Sequence, residues 1–194
     1  MVIRRKLRMS RGRLGAAAVA LGAGAAVVAV LVTGTTAVAA TSSSSSGPSL
    51  AALRAATTKF HNIATAEQNG YALLTDKDGI ACIDMPGMGG MGVHWANGTL
   101  VGDPAIHPNQ PEALVYAPGP DGTLTLAAVE YVVIKSAWDA THKFPPKLFG
   151  HVFNLTPDGN RFGLPAFYSL HVWAWQHNPA GTFEMWNPRV HCPA

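Results

Sequence analysis

The stretch GLPAFYSLHVWAWQHNPAGTFEMWNPRVHC, Gly163 to Cys192, carries the reading of the fold. It holds three of the five Trp, three of the eight His and one of the two Cys, so an aromatic core, a candidate ligand set and a cross-link all begin here. From Ala166 to Gln176 aromatic and β-branched residues run without a breaker, which predicts a strand. Alternate side chains of a strand share a face. Phe167, Ser169, His171, Trp173 and Trp175 are expected on one side, and Ala166, Tyr168, Leu170, Val172, Ala174 and Gln176 on the other. Both sets are largely apolar, the pattern of a central strand covered on both faces. His171 then lies among large aromatics, where an imidazole without a partner is costly.

Upstream, the same pattern recurs in pieces. Thr123 to Lys135 is the longest strand candidate, with Leu124, Leu126, Ala128, Glu130, Val132 and Ile134 expected on one face. Glu130 is the one charge in that series. Glu112 to Ala117 reads as its neighbour across the turn residues PGPDG, 118–122. Val93 to Ala96 meets Thr99 to Val101 across Asn97-Gly98, the strongest short hairpin signal, which would set His94 opposite Val101. Tyr71–Thr75 and Ile80–Ile83 flank Asp76-Lys77-Asp78-Gly79, a second hairpin signal. Met85 to Gly92 is too rich in glycine to read as helix or strand. His151 to Leu155 is a further short strand, Ser136 to Phe149 a long excursion of the kind that lines sites, and Thr182 to Trp186 one helical turn. Ser49 caps a helix in which Leu50, Leu53, Phe60 and Ile63 recur at helical spacing and which Asn69-Gly70 closes. About eight strands with one early helix predict an α+β fold. The expected form is an N-terminal helix packed on a curved, mainly antiparallel sheet or half-open β-barrel.

The first forty residues belong to targeting rather than to the fold. Met1 to Arg13 carries Arg4, Arg5, Lys6, Arg8, Arg11 and Arg13 and no acid. Leu14 to Val32 is uncharged and built of Ala, Gly, Val and Leu, and Ala37-Val38-Ala39 ends in small residues. This is the layout of a secretory signal peptide, 1–40, with a retained single-span anchor as the alternative. Arg4-Arg5 is only a weak twin-arginine hint. The segment 41–48, TSSSSSGP, reads as a flexible linker, leaving 49–194 as a single globular domain. Six of the 14 Lys and Arg lie before Leu14, which leaves eight against 11 Asp and Glu. The basic balance of the whole chain is therefore a property of its head. Nothing downstream implies nucleic-acid binding, and contact with a membrane is expected only through the N-terminal segment if it is uncleaved. Cys82 and Cys192, 110 positions apart, are the one intramolecular disulfide available to an exported chain, with free thiols as the alternative. Localisation is read as secreted or cell envelope.

Three groups of residues suggest chemistry. His94, Glu130 and His171 are each an isolated ionisable group on an apolar strand, and burying one unpaired costs several kcal/mol. Brought together, two imidazoles and a carboxylate suit Zn, Fe(II), Mn or Cu(II) with positions left open. His177, six residues after His171, is a candidate fourth ligand. The alternative is a hydrogen-bonded His–Glu pair that stabilises the sheet. Met85, Met88 and Met91, flanked by Cys82 and His94, are soft ligands of the kind Cu(I) prefers, or ordinary packing. Trp95, Phe167, Trp173 and Trp175, with Trp186 nearby, are candidates for an aromatic-lined pocket for a small molecule, or for plain core. Ser169 shares a face with His171 but no nucleophile elbow surrounds it, and no phosphate loop, dinucleotide fingerprint or zinc-finger spacing is present.

The segments GMGVHWANGTLVGD (90–103), PEALVYAP (111–118), AVEYVV (128–133) and YSLHVWAWQHNPAGTFEMWNP (168–188) resemble a group of exported bacterial proteins without an assigned activity. The resemblance covers most of Leu50 to Cys192. It implies a bacterial origin and supplies no mechanism.

Overall fold

The computed structural model describes residues 47–193. The expected export segment, 1–40, and all but the end of the 41–48 linker lie outside them. Among the described residues no helix is long and apolar enough to cross a membrane.

The chain enters through α1 (Leu50–Thr57), a 3-10 turn (Thr58–His61) and α2 (Ile63–Gln68). The Ser49 side chain accepts the Ala52 N–H and so supplies the expected cap. The single helix expected up to Asn69 is broken in two. Asn62 leaves helical geometry at φ −98°, ψ 112° and its side chain accepts the Thr65 N–H, starting α2 afresh. Asparagine competes for backbone donors in this way, and helical spacing alone does not show it.

Seven strands form one sheet: β1 (Ala72–Leu73), β2 (Cys82–Met85), β3 (Gly89–Ala96), β4 (Ala113–Pro118), β5 (Leu124–Ile134), β8 (Asn154–Thr156) and β9 (Phe167–Val172). A separate ribbon pairs β6 (Lys147–Leu148) with β7 (His151–Val152). The large sheet runs β1-β3-β4-β5-β9-β8, with β2 also on β3, and every pairing is antiparallel. Its two ends do not pair, so no barrel is closed among the described residues. The α+β class with a mainly antiparallel sheet stands.

Two expected hairpins are absent. Asn97 does not turn β3 back on Thr99–Val101. Its side chain accepts the N–H groups of Thr99 and Leu100 and caps the short helix α3 (Gly98–Val101), so His94 lies opposite Val115 of β4. The same short amide side chain serves a turn and a cap, which is why the local signal was ambiguous. Asp76–Gly79 does form a turn, with the Asp76 Oδ1 accepting from Asp78 and Ile80. The flanking segments then both pair with β3 rather than with each other. Another short helix, α4 (Lys135–Asp139), occupies the start of the long excursion. Thr182–Trp186 is turn and bend rather than helix.

The glycine-rich segment is half strand, contrary to expectation. Gly89 sits at φ +89°, and a Cβ there would lie 2.1 Å from the Asn187 carbonyl oxygen. Glycine lets the C-terminal tail lie directly on β3, where Gly90 and Asn187 exchange N–H···O bonds of 3.1 and 3.0 Å. The Cys82–Cys192 disulfide closes this contact. For a loop of 110 residues the chain-entropy estimate is about 4–5 kcal/mol.

The sheet is covered on both faces. Leu53 and Phe60 pack with Leu114, Tyr116, Val129, Tyr131, Leu170 and Val172 on one face. The Tyr116 hydroxyl donates to the Phe60 carbonyl at 2.7 Å. On the other face Val115, Ala128 and Trp173 meet Val190 of the tail. A bulge at Ala127 separates the two halves of β5: Val115 pairs with Ala128 but Tyr116 with Leu126. The Ala127 carbonyl accepts from Trp175 and Gln176 instead. The extra residue moves Leu124 and Leu126 onto the helix side, so they do not share the face of Glu130 as expected.

Candidate metal centre

Register brings the ligand candidates together. Glu130 and His171 are direct cross-strand partners on β5 and β9. The row continues through Ala113 of β4 to Ala96 of β3, and His94 stands two positions along β3 on the same face. His94 itself is in the row of Val115 and Ala128. Alanines at 113 and 128 leave room for the longer side chains to meet above β4.

The three side chains offer ligand atoms that all lie within 4.8 Å of one another. His94 Nε2 is 3.3 Å from His171 Nε2 and 3.4 Å from Glu130 Oε2. His171 Nδ1 is 3.4 Å from Glu130 Oε1. The rings are nearly perpendicular, at 87°. Side-chain exposure is 3 % for His94, 1 % for His171 and 12 % for Glu130, so the carboxylate is the open side of the group.

Burial sets the electrostatics. It pushes His94 down to about 4, with Glu130 pulling the other way and His171 adding to the depression. Burial alone pushes His171 down to about 4. Glu130 is raised, again by burial, against the opposing influence of His94 and the Ser169 hydroxyl. Both imidazoles are therefore neutral near pH 7 and have lone pairs to give. His94 Nδ1 is buried and has no hydrogen-bond partner.

Two nitrogens on one tetrahedral zinc, at bonds of 2.0–2.1 Å, stand about 3.3–3.4 Å apart. A right-angled octahedral pair with similar bonds stands about 3.0 Å apart. The spacing here matches the tetrahedral edge. It also suits an N–H···N bond between two neutral imidazoles.

The other candidates fall elsewhere. His177 is exposed and outside the group, because β9 ends at Val172 and alternation does not extend that far. The four pocket aromatics are split by the sheet. Trp95 packs on Tyr116 with ring centroids 5.1 Å apart, and Trp175 donates to Thr57 Oγ1 on α1, both on the helix side. Phe167 and Trp173 lie on the side of His171. No single pocket holds all four. Met88 turns to solvent, and Cys82 is taken by the disulfide, so neither stands with Met85 and Met91 as a soft ligand set.

Met85 and Met91 do line a cavity of about 290 Å³ that Glu130 and Ser169 open into, together with Phe167, Trp186 and Met185. Met185 was not singled out in the sequence, where nothing marks it except its place beside Trp186. Glu112 was also missed. It is 1 % exposed and its Oε2 accepts the Val132 N–H at 3.0 Å. Continued by two places, the β4–β5 register would set Pro111 opposite Val132, and the Pro111 carbonyl is taken by the Tyr71 hydroxyl. The Glu112 carboxyl fills that gap in the ladder. Burial pushes it up to about 8, partly opposed by the Val132 N–H.

No family model matches the chain, and no curated protein or solved structure matches it. The case for function rests on the geometry of this centre.

Proposed function

We propose that this chain is an exported domain that binds one divalent first-row metal ion through His94, Glu130 and His171, with zinc the ion best suited to the ligand spacing. The observation that carries the reading is the 3.3 Å separation of two buried, neutral imidazole nitrogens beside a single carboxylate. Two histidines and a carboxylate leave a fourth tetrahedral position open, the arrangement of zinc sites that bind or activate an exchangeable ligand. The metal would supply a positive centre and a coordination position. His94 and His171 would hold it by nitrogen and Glu130 by a carboxylate oxygen. Export is supported by the basic, apolar, small-residue order of the first forty residues and is compatible with the disulfide.

The test is metal analysis of the full chain purified with its disulfide intact. After exposure to zinc and extensive dialysis it should retain about one zinc per chain. His94→Gln and His171→Gln should lose the metal while circular dichroism stays unchanged. Wild-type protein without metal would overturn the proposal. It would favour the second reading, in which His171 and His94 share an N–H···N bond that ties β3 to β9 in a cell-envelope or ligand-binding protein.

A further inference from the structure

Methionine sulfur gathers at one place in this fold. The chain has six methionines. Met1 and Met9 lie in the head, which leaves Met85, Met88, Met91 and Met185 for the domain. Three of those four, Met85, Met91 and Met185, line the cavity of about 290 Å³ that Glu130 and Ser169 open into. They come from the end of β2, from β3, and from the tail held by the disulfide, 100 positions after Met85. Met91 is brought there by a bulge: Ile83 pairs with Gly92 and Asp84 with Gly90, which leaves Met91 unpaired. Regular alternation would put it with Val93 and Trp95, which pack on the helix side. It lines the cavity with Glu130, Phe167 and Ser169 instead.

Filling space does not account for the three. A methionine that only fills a gap adapts to close it, and here three flexible side chains border one that stays open. Met85 is 41 % exposed, so its thioether is not core. A sphere of the cavity's volume is about 8 Å across. The three rotatable bonds of each methionine let the sulfurs reach a common ion in such a space.

The donors select the ion. Thioether sulfur is a soft ligand, of the kind that takes Cu(I). Both cysteines are in the disulfide, so the thioethers are the soft donors that remain. A hard divalent cation takes several oxygen ligands, and the wall holds one carboxylate, Glu130. The one cation of the wall is Arg161, whose Nε and Nη2 are committed to Asp76 at 3.1 and 2.7 Å. We infer that Met85, Met91 and Met185 bind one Cu(I) ion in this cavity, with Glu130 as the neighbouring negative charge. Zinc at the His94–Glu130–His171 centre would offset that charge and weaken Cu(I) binding, so the test uses zinc-free protein. The inference does not rest on the zinc reading.

The experiment titrates Ag(I), a redox-inert stand-in for Cu(I), into full-length, disulfide-intact, zinc-free protein in chloride-free buffer. NMR follows the isotopically labelled methionine methyls. Those of Met85, Met91 and Met185 should move together and saturate at about one Ag(I) per chain, with Met88 unmoved. The triple variant M85L/M91L/M185L keeps the wall apolar and nearly the same volume, and should bind Ag(I) at least about tenfold more weakly. Copper-edge X-ray absorption of protein loaded anaerobically with Cu(I) should show a shell dominated by sulfur. No saturable shift, Met88 moving as far as Met185, or wild-type affinity in the triple leucine variant overturns the inference. So does a copper shell dominated by nitrogen, which would place the ion on the imidazoles. The zinc reading stands or falls separately, on zinc retention by the wild-type chain.

Discussion

Glu112→Gln gives a pH-dependent test of the fold around the centre. The Glu112 carboxyl is buried, and folding raises it from an ordinary 4.5 to about 8, chiefly by desolvation. The unfolded chain releases this proton near 4.5 and the folded chain holds it to about 8. The stabilisation is therefore complete below pH 4.5 and is lost as pH rises through 8. At about 1.4 kcal/mol for each unit, the whole loss is about 5 kcal/mol. About 2 kcal/mol of it falls between pH 6.5 and 9, a window above the range in which the buried histidines titrate. Glutamine keeps an acceptor for the Val132 N–H and has no proton to lose. Urea unfolding of the disulfide-intact protein at several pH values across that window should show wild-type stability falling with pH by about this amount more than the variant's, because the contributions of Glu130 and the two histidines are common to both. A variant that follows the wild-type slope would refute the burial of Glu112 in the gap beside Pro111.

Further perturbations probe the tail, the cross-link and the buried imidazoles. Gly89→Ala places a methyl 2.1 Å from the Asn187 oxygen at φ +89° and should cost at least about 2–3 kcal/mol. Gly79→Ala, at φ +81° with nothing within 4 Å, should cost only about 1 kcal/mol, both variants being measured by urea unfolding. Equal losses would contradict the tail contact. The double variant C82S/C192S should lose about 4–5 kcal/mol by urea unfolding, and an unchanged midpoint would contradict a cross-link that restrains the unfolded chain. In metal-free protein both imidazoles are held down to about 4, below their ordinary 6.5. The stability each contributes is full above 6.5 and is lost as pH falls through 4, about 3 kcal/mol for one ring. NMR of the ring carbons should show both titrating near 4, and a midpoint near 6.5 would contradict their burial.

The centre was more legible in the sequence than the architecture that assembles it. His94, Glu130 and His171 stood out because each is a lone ionisable group in an apolar run, and buried ionisable groups need partners. That logic carried them to one place without any knowledge of strand order. The features that failed depend on partners distant in sequence. The Ala127 bulge exists because Trp175 and Gln176 donate to its carbonyl, and neither neighbour of Ala127 announces this. Trp175 left the face of Trp173 because β9 ends at Val172, and His177 was lost for the same reason. The glycines at 89 and 90 looked like loop until the tail was seen lying on them. Glu112 went unnoticed because its role is to replace a main-chain partner that only the β4–β5 register shows to be missing.

X-ray absorption at the zinc edge tests the centre most directly, on full-length protein loaded with one equivalent of zinc. It should report two imidazole nitrogens and oxygen in a four-coordinate shell at about 2.0–2.1 Å. A sulfur shell near 2.3 Å, or a six-coordinate all-oxygen shell, would show that zinc binds away from His94, Glu130 and His171.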